Sequence, residues 1–377
     1  MREFRIEIPE SDLDDLRERL ARTRWPDPGT APGWTQGVPL DYARELCDHW
    51  ARRYSWRRCE AEINALPQFR TGLDGGGDDT VEVHLLHVRS PHRGAMPLLL
   101  THGWPGSIVE FLDIVGALTD PPDPADAFHL VIPSLPGFGF SGKPTVPGWG
   151  VERIATAWAQ LMDRLGYDRY AAHGGDWGAA IASALGTGAP ENLVGIHLTM
   201  PLAAPPPEDE AKPLTEAERK ALAARKTFMK VGAGYSREQS TRPQTLGYGL
   251  ADSPSGQCMW IVEKFWDWSE CAGDPSNAIR RDRLLDDVML YWLPATGTSS
   301  IRLYWESNRR RRMDPVEVPT GVTQFPAEMT RFPRHWVEKR FTDLRYWSEP
   351  AVGGHFASLE QPEVFVDELR AFFRLVR

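Results

Sequence analysis

The chain has 377 residues and a formal net charge of −9 at pH 7, enough length for one large core plus an insertion, and an acidic balance that argues against a nucleic-acid or anionic-membrane partner. Hydrophobic residues at 41% and aromatics at 10% exclude a disordered chain. Lysine supplies only 7 of the 43 basic residues, a skew in line with GC-rich coding more than with a binding surface.

Residues 1–89 read as a leader that wraps and supports the core. Ser11-Asp12-Leu13-Asp14 marks a helix start, with Leu13, Leu16 and Leu20 at helical spacing behind it. A Pro/Gly/Trp-rich turn from Trp25 to Trp34 follows, and a second amphipathic helix is expected from about Asp41 to Tyr54. His84 and His87 sit on a strand-like alternation and read as structural groups, not metal ligands. Cys47, Cys59, Cys258 and Cys271 form no C-x-x-C pair and no metal-type alternation with histidine, so they read as reduced, packed thiols of a cytoplasmic protein. No apolar run has the length of a membrane span, and no anchor is expected.

From residue 90 the pattern becomes strand, turn, helix. Pro97-Leu98-Leu99-Leu100 precedes His102-Gly103-Trp104-Pro105, Leu130-Val131-Ile132 precedes a proline/glycine loop, and Tyr170-Ala171-Ala172 leads into Gly174-Gly175-Asp176-Trp177-Gly178, with another strand at Leu193 to Leu198. Short apolar runs separated by helical periods, with the unusual residues at their carboxyl ends, describe an α/β fold with a mostly parallel sheet flanked by helices and a site along one edge. Residues 201–314 break this rhythm with a proline-rich lead-in, charged helices and the aromatic cluster Trp260, Phe265, Trp266 and Trp268, as an inserted helical cap would. Sheet character returns over 315–377, at Gly321 to Phe325 and Arg345 to Trp347, before a closing helix from about Pro362 to Leu375.

Gly174 to Gly178 has the glycine frame of a nucleophile elbow, the strand-to-helix turn that lifts one side chain to the top of an α/β-hydrolase sheet, with aspartate in the nucleophile position. A serine opening a ring at saturated carbon would be left as an ether, whereas aspartate gives an ester that water can hydrolyse. The elbow therefore points to alkyl transfer from epoxides or alkyl halides. A helix N-cap is the ordinary alternative for Asp176.

Several segments together carry a resemblance over essentially the whole length: Arg24-Trp25-Pro26, Pro39-Leu40-Asp41-Tyr42, Asn64 to Phe69, His102-Gly103-Trp104-Pro105, Gly174 to Gly178, Asp252-Ser253-Pro254 and Gly353-Gly354-His355-Phe356. The chain resembles the microsomal-type epoxide hydrolases, with their juvenile-hormone and fungal relatives; the anchor helix of the membrane-bound ones is not expected here. The resemblance implies an α/β-hydrolase fold in which Asp176 attacks an epoxide carbon to give a covalent ester. Tyr235 and Tyr304 would donate to the epoxide oxygen, with Tyr291 the nearest competitor and read as core. His355 would activate water against the ester, with His335, in a segment that reads as a surface turn, as the alternative. Glu328 would orient His355, with Asp314 and Asp343 as other carboxylates. The backbone N–H groups of Trp104 and Trp177 would form the oxyanion hole, and His102, Gly103 and Pro105 would shape the loop; the isomer of the Trp104–Pro105 bond is left open.

The expected activity is hydrolysis of a hydrophobic epoxide, aromatic ones included, to a vicinal diol, in detoxification or in tailoring of a secondary metabolite. A haloalkane dehalogenase shares the aspartate and histidine but needs no acid, so the cap tyrosines favour the epoxide. A serine esterase would have to use Ser107 or Ser134, and a non-catalytic hydrolase-fold binding protein would be expected to lack one of these positions. The implied partners are the epoxide and water, with no metal or organic cofactor; homo-oligomer formation is left open.

Overall fold

The computed structural model describes residues 1–204, 214–308 and 313–377. Its nine strands are β1 (Arg2–Glu3), β2 (Gln68–Leu73), β3 (Val81–Val88), β4 (Met96–Thr101), β5 (Phe128–Pro133), β6 (Tyr170–Gly174), β7 (Leu193–Leu198), β8 (Thr320–Thr323) and β9 (Leu344–Ser348). They form one sheet in the order β1-β2-β3-β5-β4-β6-β7-β8-β9. The first three strands and the β3/β5 pair run antiparallel, and every pairing from β5 across to β9 is parallel. The central strands β4 and β6 are nearly continuous apolar runs because both faces are covered by helices. This is the α/β-hydrolase architecture.

The leader contributes α1 (Glu10–Ala21), α2 (Leu40–Arg52) and α3 (Trp56–Asn64), and the core adds α4 (Val115–Thr119), α5 (Val151–Arg164) and α6 (Asp176–Gly188). Between β7 and β8 the cap inserts α7 (Glu216–Thr227), α8 (Gly234–Thr241), α9 (Pro243–Asp252), α10 (Pro254–Trp268), α11 (Arg281–Trp292) and α12 (Gly297–Asn308). The core resumes with α13 (Arg334–Arg340), α14 (Ala357–Glu360) and α15 (Pro362–Phe373). The prolines at 205–207, expected at the head of the cap, lie outside the described residues. Among the described residues no helix is long and apolar enough to cross a membrane.

Three boundaries differ from expectation. Helix α1 begins at Glu10 behind Pro9, so Ser11 falls inside the first turn and its hydroxyl bonds Asp12 instead of capping. Helix α2 stops at Arg52, because the Tyr54 phenol leaves the helical path to donate to Asp286 at 2.8 Å. The stretch after Pro333, expected as a surface turn, is α13, with Trp336 and Val337 buried against the core.

The leader clamps the cap. Trp34 stacks on Trp266 at 4.8 Å, His49 Nε2 lies 2.6 Å from Asp282, and Trp50 Nε1 donates to Met289 Sδ at 3.3 Å. Arg283, only 3% exposed, joins Glu62 of α3 at 2.7 Å to Asp113 at 2.5 Å.

Closure of α15 over the sheet depends on Gly321: a Cβ there would stand 2.4 Å from Phe372 Cγ, a rigid ring buried on α15. Gly321→Ala is expected to lower unfolding free energy by about 1–3 kcal/mol through overpacking, read as a fall in the urea midpoint with an unchanged slope; an unchanged midpoint would show that α15 yields freely.

Candidate active site

Strand β6 ends at Gly174 and α6 starts at Asp176, whose φ of 47° lies in the left-handed region that costs a non-glycine residue about 1 kcal/mol or more. The neighbouring glycines are there because nothing larger fits. A Cβ on Gly178 would lie 2.0 Å from Thr101 O, one on Gly174 2.1 Å from the Gly178 carbonyl carbon, and one on Gly103 2.3 Å from Asp176 Cβ. The loop after β4 and the start of α6 therefore meet backbone to backbone, and Trp104 N–H donates to Asp176 Oδ1 at 2.8 Å.

The Trp104–Pro105 peptide is cis. His102 ties this loop to its neighbour: Nε2 accepts from Leu135 N–H at 3.2 Å, which leaves Nδ1 to donate to Gly103 O at 2.9 Å. Burial holds the imidazole down at about 4, so it is neutral near pH 7.

Glu328 and His355 come together through the backbone. Beyond β8, Ala327 bridges Gly354, with Ala327 N–H donating to Gly353 O at 3.0 Å, and His355 N–H donates to Trp268 O at 2.8 Å. These bonds set His355 Nδ1 2.8 Å from Glu328 Oε1 and turn Nε2 toward Asp176 Oδ2, 3.8 Å away. Burial disfavours the imidazolium, but the Glu328 carboxylate beside it, with Asp176 and Glu110 further off, outweighs that and brings His355 up to about 9. Burial also pushes the Asp176 carboxyl above its usual range, against the opposing pull of His355 and of the Trp104 and Trp177 N–H groups.

The cap supplies the roof. Tyr235 at the start of α8 stacks on the Trp104 indole at 5.3 Å, and Tyr304 of α12 stands edge-on to Trp177 at 4.7 Å and to Tyr235 at 5.8 Å. Both are buried, and among the described residues Tyr304 Oη has no hydrogen-bond partner within bonding geometry. Burial, with the Asp176 charge nearby, raises both phenols above their ordinary value and keeps them protonated. Asp176, Tyr235 and Tyr304 line one cavity of about 510 Å³, walled by Met200, Leu202, Phe228, Met329 and Phe332.

Residues 1–111 match the family described as epoxide hydrolase N terminus, and residues 96–234 match the α/β hydrolase fold. The chain is 50% identical to a protein of Stigmatella aurantiaca provisionally named epoxide hydrolase, over 99% of this chain and 85% of that one. It is 32% identical to epoxide hydrolase 1 of Sus scrofa, over 100% of this chain and 89% of that one. This chain belongs to the epoxide hydrolases. Its structure superposes on juvenile hormone epoxide hydrolase of the silkworm Bombyx mori with a TM-score of 0.88, at 32% identity, covering 100% of this chain and 94% of that one. The Aspergillus niger epoxide hydrolase gives 0.89 at 32% identity, covering 100% and 96%.

In this epoxide hydrolase the fold gathers Asp176, His355, Glu328, Tyr235, Tyr304, Trp104 and Trp177, and disperses the competitors. Tyr291 Oη donates to Gly106 O at 2.6 Å beneath the loop. His335, its side chain 51% exposed, sits 2.9 Å from Glu218; Asp343 pairs with Arg345 at 2.8 Å; Asp314 lines a neighbouring groove of about 410 Å³ that shares Trp177 with the site cavity but does not include Asp176. Ser107 Oγ donates to Asp287 at 2.6 Å and Ser134 Oγ is 3.0 Å from His84 Nδ1. His87 bonds Tyr167 at 2.7 Å, and among the described residues no cluster could hold a metal ion.

Glu110 was not singled out by sequence. It reaches into the loop so closely that a Cβ on Gly106 would lie 1.6 Å from its Oε1, and burial pushes its carboxyl up to about 8 within the field of His355 and Asp176. The available sign was a lone carboxylate inside the apolar run Ile108 to Leu112.

Gly103→Ala is expected to lower kcat/KM by about 100-fold, since displacements of an ångström at a reacting group cost that much. Circular dichroism and the thermal midpoint should change little; activity within about threefold of wild type would show that Asp176 tolerates the displacement.

Proposed function

We propose that this epoxide hydrolase works through a covalent ester on Asp176. Asp176 attacks an epoxide carbon from behind, the carbon–oxygen bond breaks toward the oxygen, and Tyr235 and Tyr304 supply the hydrogen bonds and the proton that the new alkoxide needs. The observation that carries this reading is the placement of two buried, protonated phenols in the same cavity as the buried carboxylate. A halide leaving group has no use for them.

Hydrolysis of the ester then uses water activated by His355. In the free enzyme the imidazole stands near 9 and is protonated at neutral pH, which suits holding Asp176 ionised but not accepting a proton. Ester formation removes the Asp176 charge, one of the causes of that elevation, so the proton affinity of His355 falls at the step that needs a base. The Trp104 N–H that donates to Oδ1, with that of Trp177, would receive the negative charge that builds on the ester carbonyl oxygen.

The apolar walls fit a hydrophobic epoxide, and four unpaired, buried cysteines fit a reducing, cytoplasmic setting.

Wild type is expected to convert a styrene-oxide-type epoxide to diol, and Asp176→Ala to form none. Halide from a haloalkane without diol from any epoxide would replace this reading with dehalogenation. His355→Gln is expected to stop after one turnover with the substrate mass added to the chain, visible by intact mass spectrometry; an unmodified chain with normal diol output would exclude His355 as the base.

Glu328→Gln tests the electrostatics. Because kcat requires neutral His355, it falls as pH drops through the imidazole value in the ester form, and Glu328 raises that value. Removing the charge is expected to move the acid limb of kcat to lower pH, with the plateau down about 10- to 100-fold from lost orientation. A limb that stays in place or moves up would assign the elevation to another group.

A further inference from the structure

Lys264 is 4% exposed, a rare position for a lysine, near the end of the cap helix α10. Its Nζ is ion-paired with the adjacent Glu263 and stands 4.5 Å from the ring centroid of Tyr235 and 5.7 Å from that of Trp268. Trp268 in turn packs against His355 at 5.1 Å and binds its backbone N–H. The pair with Glu263 lets an ammonium group stay buried under the roof, and the geometry sets it against the ring face of Tyr235. We propose that Lys264 is a positioning residue for ring opening, its cation on the face of Tyr235 stabilising the negative charge that the phenol acquires as it protonates the leaving oxygen. The proposal rests on the reading of Tyr235 as a proton donor.

The physical basis is differential. A cation over a neutral phenol gains the modest attraction of the ring quadrupole. Once the phenol gives up its proton the ring carries real negative charge, and the same cation in a water-poor site is attracted much more strongly. An interaction stronger in the transition state than in the ground state accelerates the step. The surrounding charges act the other way: Asp176, Glu263 and Glu328 all oppose ionisation of Tyr235. Lys264 is the cation that faces the ring from α10, while Tyr304 faces it from α12.

The proton account closes. Ring opening forms the Asp176 Oδ–carbon bond, breaks the ring carbon–oxygen bond, and leaves a hydroxyl on the product and a phenolate on Tyr235. The phenolate recovers its proton as the affinity of His355 falls, leaving the imidazole neutral; His355 then takes a proton from water, the hydroxide cleaves the ester at its acyl carbon, and the diol leaves with the Asp176 carboxylate and protonated His355 regenerated.

Single turnovers of wild type and variants with styrene oxide, followed by tryptophan fluorescence, separate ester formation from ester hydrolysis. Lys264→Met is expected to slow ester formation about tenfold, a differential stabilisation of about 1.4 kcal/mol, with hydrolysis within about twofold of wild type. Lys264→Arg should restore most of the rate. Glu263→Gln, which removes an opposing charge, should accelerate ester formation or leave it unchanged.

Equal slowing of both steps without rescue by arginine would assign Lys264 a packing role, and normal ester formation in Lys264→Met would also overturn the proposal. If Lys264→Met does not fold, slower ester formation in Glu263→Gln overturns it on its own. Should Tyr235→Phe form the ester at the wild-type rate, the reading of Tyr235 as donor fails instead, a result distinct from loss of the lysine effect alone.

Discussion

The left-handed backbone at Asp176 is the constraint around which this molecule is arranged. An aspartate at φ 47° persists only if its surroundings over-determine it. Here they do: β4 and β6 are parallel neighbours in register, Thr101 opposite Gly174, so both strands end on the same edge of the sheet. The loop from one and the helix from the other then collide at distances only glycine tolerates, as the Gly103 and Gly178 contacts show. The same collision aims the Trp104 N–H at the carboxylate. Strain, glycine placement and carboxylate binding are three consequences of one juxtaposition.

A second layer explains why so much of the chain lies outside the hydrolase core. The cap brings Tyr235 and Tyr304, and the cap is seated by the leader. Asp286, fully buried on α11, is held by Arg58 at 2.5 Å, Tyr54 at 2.8 Å and Arg283 at 3.3 Å, so two of these three partners come from the leader. Removing one partner of such a cluster leaves an uncompensated buried charge, which costs several kcal/mol, on the order of 3–5. Next to it, Asp287 accepts from Ser107 and Tyr291 donates to Gly106, so the cluster reaches the underside of the His-Gly-Trp-Pro loop. The leader thus acts on the site at one remove, by fixing the height of the roof.

The core was legible in the sequence because its signals are local. Leu193 to Leu198 is a strand at those limits, and the strands at Pro97, Leu130 and Tyr170 fall within one or two residues of their observed ends. The elbow was legible because sterics dictate its glycines. The edges of the leader were less so: α3 and β2 pack through contacts distant in sequence, and the segment after Pro333 folds as α13 because Trp336 finds a buried site and a bond to Glu218 that no local pattern announces. For the site residues the motifs named positions and the fold supplied distances. Glu110 and Lys264 escaped notice for one reason: a charged residue inside an apolar or aromatic run looks the same whether it faces water or the site.

What the gathered residues share is a common displacement of proton affinity. In ordinary surroundings Asp176 would titrate far below His355, and the two would have little to exchange. Burial pushes Asp176 up and Glu110 to about 8, while the Glu328 carboxylate lifts His355 to about 9 against burial, so the site becomes a set of coupled groups whose charges depend on one another. Such a set responds as a whole to the loss of any one charge. In the proposed mechanism esterification of Asp176 would be that loss: it would lower the proton affinity of His355 and lighten the negative field that opposes ionisation of Tyr235. The covalent step would therefore do more than divide the reaction in two, because it would switch the histidine from counter-ion to base without any movement of the chain.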